Sequence, residues 1–177
     1  MFVYYTEPRV IRNFITSEEC EYLLNPDNGF LVDSLIGKNG SPETKIRKSK
    51  CKIFPNVNRT IFNNIRIKVS KLVNVPLYKI IDDLQISKYE TGGFYKKHFD
   101  SNPPSNTRPY TVIIYLNDDY EGGETFFPVL NKKYKLNRCD ALLFHNQDSS
   151  GHVTDKAEHS GELVTKGEKW ICTVWTK

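Results

Sequence analysis

The apolar positions of this chain change period part-way along it. Val57, Ile61, Ile65, Val69 and Leu72 recur at helical spacing, which predicts a helix over residues 57–73 with one buried stripe and a sheet for that stripe to lie against. A shorter helix is predicted earlier. Thr16 with Glu19 three residues on forms a capping box, Cys20, Leu23 and Leu24 supply the apolar face, and Asn25-Pro26 ends the run. Val10 to Ile15 and Phe30 to Ile36 read as strands. Between them and the second helix, the tract GKNGSPETKIRKSK at 37–50 reads as a mobile basic loop, and loops on a rigid scaffold often meet substrate. After Pro76 the pattern shortens to β-branched and aromatic runs at Leu84 to Tyr89, Thr111 to Leu116, Thr125 to Phe127, Ala141 to His145, Glu162 to Val164 and Lys169 to Trp175, each bounded by turn-forming residues. Helices followed by many antiparallel strands predict an α+β chain whose β part is a double-sheet jelly roll, a double-stranded β-helix, with the N-terminal helices packed on the major sheet. The 177 residues suit one domain, with a helical support region over 1–80 and the jelly-roll core over 81–177.

Composition narrows the classes of function. The chain is 38% hydrophobic and 26% charged, with 25 Lys and Arg against 21 Asp and Glu, and its charges are spread without a nucleic-acid-binding motif, so no nucleic-acid partner is expected. The opening MFVYYTEPRVIRNF is broken by Glu7, Pro8 and Arg9 and fits neither a signal peptide nor a membrane span. Cys20, Cys51, Cys139 and Cys172 form no Cys-x-x-Cys pair and are expected as free, mostly buried thiols. A reducing, intracellular and cytoplasmic setting is the matching expectation.

The chemistry centres on YETGGFYKKHFD, Tyr89 to Asp100. On an extended strand, residues two apart face the same side, so His98 and Asp100 can point into one cavity. A His-x-Asp pair with a distant His is the ligand set of the facial triad that holds Fe(II) and leaves other positions open. Three histidines remain as the third ligand. His145 ends an apolar strand and suits a core imidazole, His152 lies in the polar tract NQDSSGHVTD, and His159 lies ten residues before Lys169. Lys169, Ile171, Thr173 and Trp175 share a parity, so the ammonium and the indole can look into one interior. A lysine there is costly unless an anion meets it, and beside a metal triad that anion is naturally a dicarboxylate chelated to the metal at its other end.

LQISKYETGGFYKKHFD, RPYTVIIYLND, EGGETFFP, DALLFHN, the His159-Ser-Gly stretch and KGEKWICTVW resemble, in order, the motifs of the prolyl 4-hydroxylase branch of the Fe(II)/2-oxoglutarate dioxygenases, and VIRNFITSEECEYLL is similar to that family's opening strand and helix. The resemblance implies His98, Asp100 and His159 as iron ligands and Lys169 as partner of the distal 2-oxoglutarate carboxylate. It implies Tyr89, Thr111 and Tyr115 around the cosubstrate and Asp82, Tyr95, Arg108 and Trp175 as peptide contacts, with SNPPSNTR at 101–108 as a flap. Two departures stand out. Lys177 falls where some relatives have histidine, and LNRCD at 136–140 lacks the Pro and Gly that usually precede the Asp-Ala pair. The implied activity is oxidative decarboxylation of 2-oxoglutarate to succinate and CO2, coupled through O2 to hydroxylation of peptidyl proline, with ascorbate as reductant. A chain this compact fits a microbial or viral enzyme. Two other readings stay open: the same chemistry on another side chain, a free amino acid or a nucleobase, and a non-catalytic binding module. The family's nucleic-acid demethylases typically carry arginine where this chain has Lys169.

Overall fold

The computed structural model describes residues 2–35 and 45–177; Ile36 and most of the expected 37–50 loop lie outside the described residues. Helix α1 (Ser17–Leu24) starts as its sequence dictates. Thr16 Oγ1 accepts from the Glu19 amide while the Glu19 carboxylate accepts from the Thr16 amide, satisfying two donors that would otherwise be orphaned. Helix α2 (Arg59–Val73) is capped by the Asn58 side chain and ends at Asn74 in the left-handed region.

The strands are β1 (Arg9–Ile11), β2 (Phe30–Asp33), β3 (Arg47–Lys48), β4 (Lys50–Ile53), β5 (Gln85–Glu90), β6 (Phe94–His98), β7 (Tyr110–Tyr115), β8 (Glu121–Gly122), β9 (Thr125–Phe127), β10 (Lys132–Tyr134), β11 (Ala141–His145), β12 (His159–Gly161), β13 (Val164–Lys166) and β14 (Glu168–Trp175). They form a seven-stranded sheet in the order β1-β11-β7-β14-β5-β4-β2, a five-stranded sheet in the order β10-β9-β12-β6-β3, and a ribbon of β13 with β8. Every strand pair is antiparallel.

The central strands of the larger sheet are buried on both faces, and strand alternation sorts their residues. Ile86, Val112, Ile114, Cys172 and Val174 point to the helices, where Phe62, Ile65 and Val69 of α2 and Cys20 and Leu23 of α1 meet them. Tyr89, Ile113, Tyr115, Leu142, Phe144 and Ile171 point the other way, into the space between the sheets, and pack with Phe127 and Val164. The result is three layers, with the helices behind the major sheet as the pattern predicts.

The structure departs from the sequence-based expectation in several places. The described residues before 80 supply four strands as well as two helices, because β1, β2 and β4 extend the major sheet and β3 extends the minor one. The end of the expected basic loop is thus β3 and the start of β4. Of the strand expected at Glu162 to Val164, Val164 opens β13, while Glu162 and Leu163 form a corner after β12 where the Glu162 amide bonds the Glu124 carbonyl. Cys139 takes a left-handed φ of 71°, so the altered LNRCD turn keeps a conformation that glycine adopts without steric penalty. All four cysteines are free thiols, and no helix among the described residues is long and apolar enough to cross a membrane.

Ile65 sits fully buried at the centre of the α2 stripe. Ile65→Ala is expected to destabilise the fold by about 2–5 kcal/mol through the cavity it leaves, seen as a lower urea midpoint with an unchanged m-value.

Candidate active site

The two histidines on the minor sheet face each other by strand register. His98 ends β6, His159 begins β12, and their Cα positions are direct partners in the antiparallel pair. The strand stops at His98, and Asp100 lies on the bend just after it, yet its carboxylate still turns inward. Asp100 Oδ1 lies 3.5 Å from His98 Nε2, and Asp100 Oδ2 lies 3.8 Å from His159 Nε2. Donor atoms from all three residues fall within 4.8 Å of one another. His152 is exposed, and His145 packs edge-on against Tyr110 away from this cluster, so His159 is the histidine that joins the pair.

Neighbouring groups fix each donor. His98 Nδ1 lies 2.8 Å from the Lys96 carbonyl and His159 Nδ1 lies 3.1 Å from the Ala157 carbonyl, which places an N–H on each Nδ1 and turns each Nε2 toward Asp100. Phe127 and Phe144 pack on the His159 ring, with centroids 5.5 and 4.8 Å away, and Tyr95 stacks on His98 at 3.6 Å. Burial would push the Asp100 carboxyl up, but His159 and His98 outweigh it and hold it far below the usual carboxylate range. Burial and the His98 charge push His159 down to about 4, so its imidazole is neutral at pH 7, the form that ligates metal. Two imidazoles and one carboxylate, each held by a second group, fit an Fe(II) facial triad.

The cluster opens into a cavity of about 610 Å³ whose wall includes Tyr89, Tyr95, Arg108, Thr173, Trp175 and Lys169. That volume is ample for a small dicarboxylate with part of a larger substrate. Lys169 is 2% exposed, so it does not reach water; its Nζ donates to the Gly123 carbonyl at 2.7 Å and lies 5.6 Å from the ring centres of Tyr89 and Tyr115. No carboxylate among the described residues lies within 4.0 Å of it. Burial pulls its ammonium down to about 8, against a smaller opposing pull from Glu124. The EGGET motif has a physical reason here. Gly123 has φ +67°, and a side chain on it would press to 3.0 Å from Val164 and 3.3 Å from the Lys169 stem.

The other expected site residues divide. Tyr89, Tyr95, Arg108 and Trp175 line the cavity as the sequence suggests. Thr111 is fully buried, and its hydroxyl is committed to Asp100 Oδ2 at 2.8 Å while it accepts from Asn146 Nδ2 at 2.8 Å, so it orients a ligand and is not on the cavity wall. Tyr115 lies behind the wall, and its hydroxyl shares a 2.8 Å hydrogen bond with Thr125, which does reach the cavity. Asp82 stands apart. Backbone pairing of Ile80 and Ile81 with Thr176 and Trp175 turns the Asp82 carboxylate outward to Arg66 of α2, 2.5 Å away. The flap tract is a hydrogen-bonded loop, with Asn102 and Asn106 exchanging backbone bonds and the Arg108 amide donating to Ser101 Oγ; Asn102, Ser105 and Asn106 line the cavity.

Sequence reasoning missed Arg47. It is 7% exposed, donates to Ser49 and Ser87, and its guanidinium carbon lies 4.7 Å over the Tyr95 ring. The shared parity of Arg47 and Ser49 was the available signal, hidden in what read as a basic loop.

A jelly roll holding this ligand set beside a buried lysine defines a metal-dependent dioxygenase of the 2-oxoglutarate class, and comparison with known proteins agrees. The family model described as the 2OG-Fe(II) oxygenase superfamily matches residues 84–177. A protein of Acanthamoeba polyphaga mimivirus named as a prolyl 4-hydroxylase is 32% identical over 97% of this chain and 74% of its own length. Probable prolyl 4-hydroxylase 10 of Arabidopsis thaliana is 30% identical over 97% and 69%. The crystal structure of the viral collagen prolyl hydroxylase from Paramecium Bursaria Chlorella virus-1, in complex with 2OG, superposes with a TM-score of 0.73 at 24% identity, covering 96% of this chain and 95% of that one. The chain belongs to the prolyl 4-hydroxylase family of the 2OG-Fe(II) oxygenases, whose members use Fe(II), 2-oxoglutarate and O2.

Thr111→Val keeps shape but removes the hydroxyl bonded to Asp100. Metal affinity is expected to fall about 10- to 100-fold with the fold intact, measured by Co(II) or Mn(II) titration alongside thermal unfolding of the metal-free protein.

Proposed function

We propose that this enzyme hydroxylates proline within a peptide or protein chain. The observation that carries this reading is the aromatic flank of the metal ligands, Tyr95 stacked on His98 and Trp175 on the same wall as Lys169, in a chain whose curated relatives are named prolyl 4-hydroxylases. Proline offers a rigid ring and holds the residue before it extended, so an aromatic slot can seat it at small entropic cost.

In this reading His98, Asp100 and His159 hold Fe(II) on one face. Lys169 binds the distal carboxylate of 2-oxoglutarate, and its single charge at the end of a narrow pocket sets the cosubstrate's direction. Tyr89 borders that carboxylate, and Tyr115 acts through Thr125. Thr111 holds Asp100 in its liganding pose, while Arg108, Tyr95 and Trp175 position the peptide. The bound metal and cosubstrate supply the coupled chemistry, decarboxylation of 2-oxoglutarate to succinate and CO2 with insertion of one oxygen atom into a C–H bond. The chain's own share is to orient the reactants and exclude water. Ascorbate serves as reductant for uncoupled turnovers, and four free thiols support a reducing, cytoplasmic setting.

The proton on Lys169 gives a test of the cosubstrate pocket. With the free enzyme's ammonium at about 8, 2-oxoglutarate affinity should be flat below pH 8 and weaken about tenfold per unit above it. Binding should take up a proton above pH 8, because a facing carboxylate raises the ammonium again. Calorimetry in buffers of different ionisation heat measures both. Lys169→Met should remove the pH step and weaken binding about 10- to 100-fold while sparing metal affinity.

The activity itself is tested with a proline-peptide library, Fe(II), 2-oxoglutarate and ascorbate, read by mass spectrometry. A gain of one oxygen on proline with matching succinate release is the expected result. Modification confined to non-prolyl residues or to small molecules would overturn the assignment of substrate.

A further inference from the structure

The cavity holds two more cations than its chemistry consumes, and both belong to arginines. Arg47 from β3 and Arg108 at the end of the flap tract line it together, and Tyr95 lies within electrostatic reach of both. Neither guanidinium lies within 4.0 Å of a carboxylate among the described residues. Each rests instead on an aromatic face, Arg47 on Tyr95 at 4.7 Å and Arg108 on Trp175 at 4.0 Å. Stacking satisfies the plane of a guanidinium and leaves its edge of N–H donors available. Arg47 spends two of those donors on Ser49 and Ser87, and Arg108 has a buried Nε with no hydrogen-bond partner among the described residues.

Charge balance decides what those edges meet. With the centre loaded, the formal charges of the divalent ion and the doubly charged cosubstrate would sum to zero, and so would those of Lys169 and Asp100. That leaves the two guanidiniums, Arg47 at 7% exposure and Arg108 half-buried with Asp100 acting on it from beyond hydrogen-bond distance, and unpaired charge held out of water is costly. The reacting group, a proline ring, brings no charge to offset them. Neutral backbone carbonyls would fill the donors but leave the charge.

We infer that the peptide substrate carries carboxylate side chains beside the target proline and that Arg47 and Arg108 receive them. The inference rests on the assignment of peptidyl proline above and adds the chemical class of its neighbours. A planar guanidinium edge matches a carboxylate with two parallel hydrogen bonds, and such pairing discriminates against uncharged or basic neighbours as well as favouring acidic ones.

Three peptides of equal length test this, each with one proline flanked on both sides by Glu, by Gln or by Lys. Binding is measured by fluorescence anisotropy on the Mn(II)-loaded protein with a non-reacting 2-oxoglutarate analogue, and oxygen incorporation is measured separately on the Fe(II) enzyme. The Glu peptide should bind about 10- to 100-fold more tightly than the Gln peptide, and the Lys peptide more weakly than either. The advantage should shrink as salt is raised and should fall in Arg47→Gln and in Arg108→Gln. Equal affinity for the Glu and Gln peptides in the native protein at low salt overturns the inference, whatever the variants do. If all three peptides gain oxygen equally, proline hydroxylation stands and the carboxylate preference falls. If none gains oxygen while 2-oxoglutarate is consumed on another substrate, the proline assignment fails and the inference goes with it.

Discussion

An ionised carboxylate in a protein interior survives only where other groups replace the water it has lost, and at Asp100 the Thr111 hydroxyl supplies part of that replacement. Two imidazoles approach its oxygens from adjacent strands of the minor sheet, and Thr111 donates from the major sheet opposite. The chain of bonds continues outward. Asn146, just after β11, donates to Thr111 and to the Arg108 carbonyl, and the Arg108 amide donates to Ser101 beside Asp100. Ligand geometry and the position of the flap loop are therefore set by one network across both sheets. A one-residue slip of β7 would turn Thr111 toward the helices and break it, so the pairing of β7 with β11 and β14 underlies the metal site.

Strand β14 shows how one short sequence serves core and chemistry together. Cys172 and Val174 close the helical side, while Lys169, Ile171, Thr173 and Trp175 line the cavity. Because α1 and α2 cover the first face, the second is free to carry polar groups without leaving the sheet exposed on both sides. The helices hold that strand from behind, and among the described residues none from a helix lines the cavity wall.

What the sequence made legible were features governed by local rules. The Thr16 capping box, the α2 stripe and the parity of β14 depend on near neighbours and fixed periods, and each is present in the structure. His98 and Asp100 were legible from their two-residue spacing, although Asp100 turns inward from a bend past the end of β6, and His159 became so through a family resemblance spanning several motifs. What stayed hidden depends on tertiary pairing. β3 is two polar residues made a strand only by bonding to β6, and β12 is His-Ser-Gly, with no alternation to read. Thr111 and Tyr115 have the inward parity expected of pocket residues, but parity gives direction and not partner, and both hydroxyls are spent on other side chains. Asp82 aligns with a substrate position and yet faces α2, because the bridge to the end of β14 rotates its segment outward.

Lys169 argues for a working enzyme over a scaffold that has kept the fold. A lysine at a strand mouth could reach water at no cost, but this one is sealed, with one carbonyl partner and a depressed ammonium. Burial of that kind lowers the stability of the unliganded chain, and Gly123 is held in a left-handed conformation beside it, leaving room for its stem. A protein under selection for stability alone would do better with an apolar residue there. The group becomes favourable only when an anion enters, and the binding free energy of that anion then stabilises the folded state. Since the same cavity presents three metal donors already oriented, an anion that also chelates the metal satisfies both demands at once, which a five-carbon dicarboxylate with an adjacent oxo group does and a monocarboxylate does not.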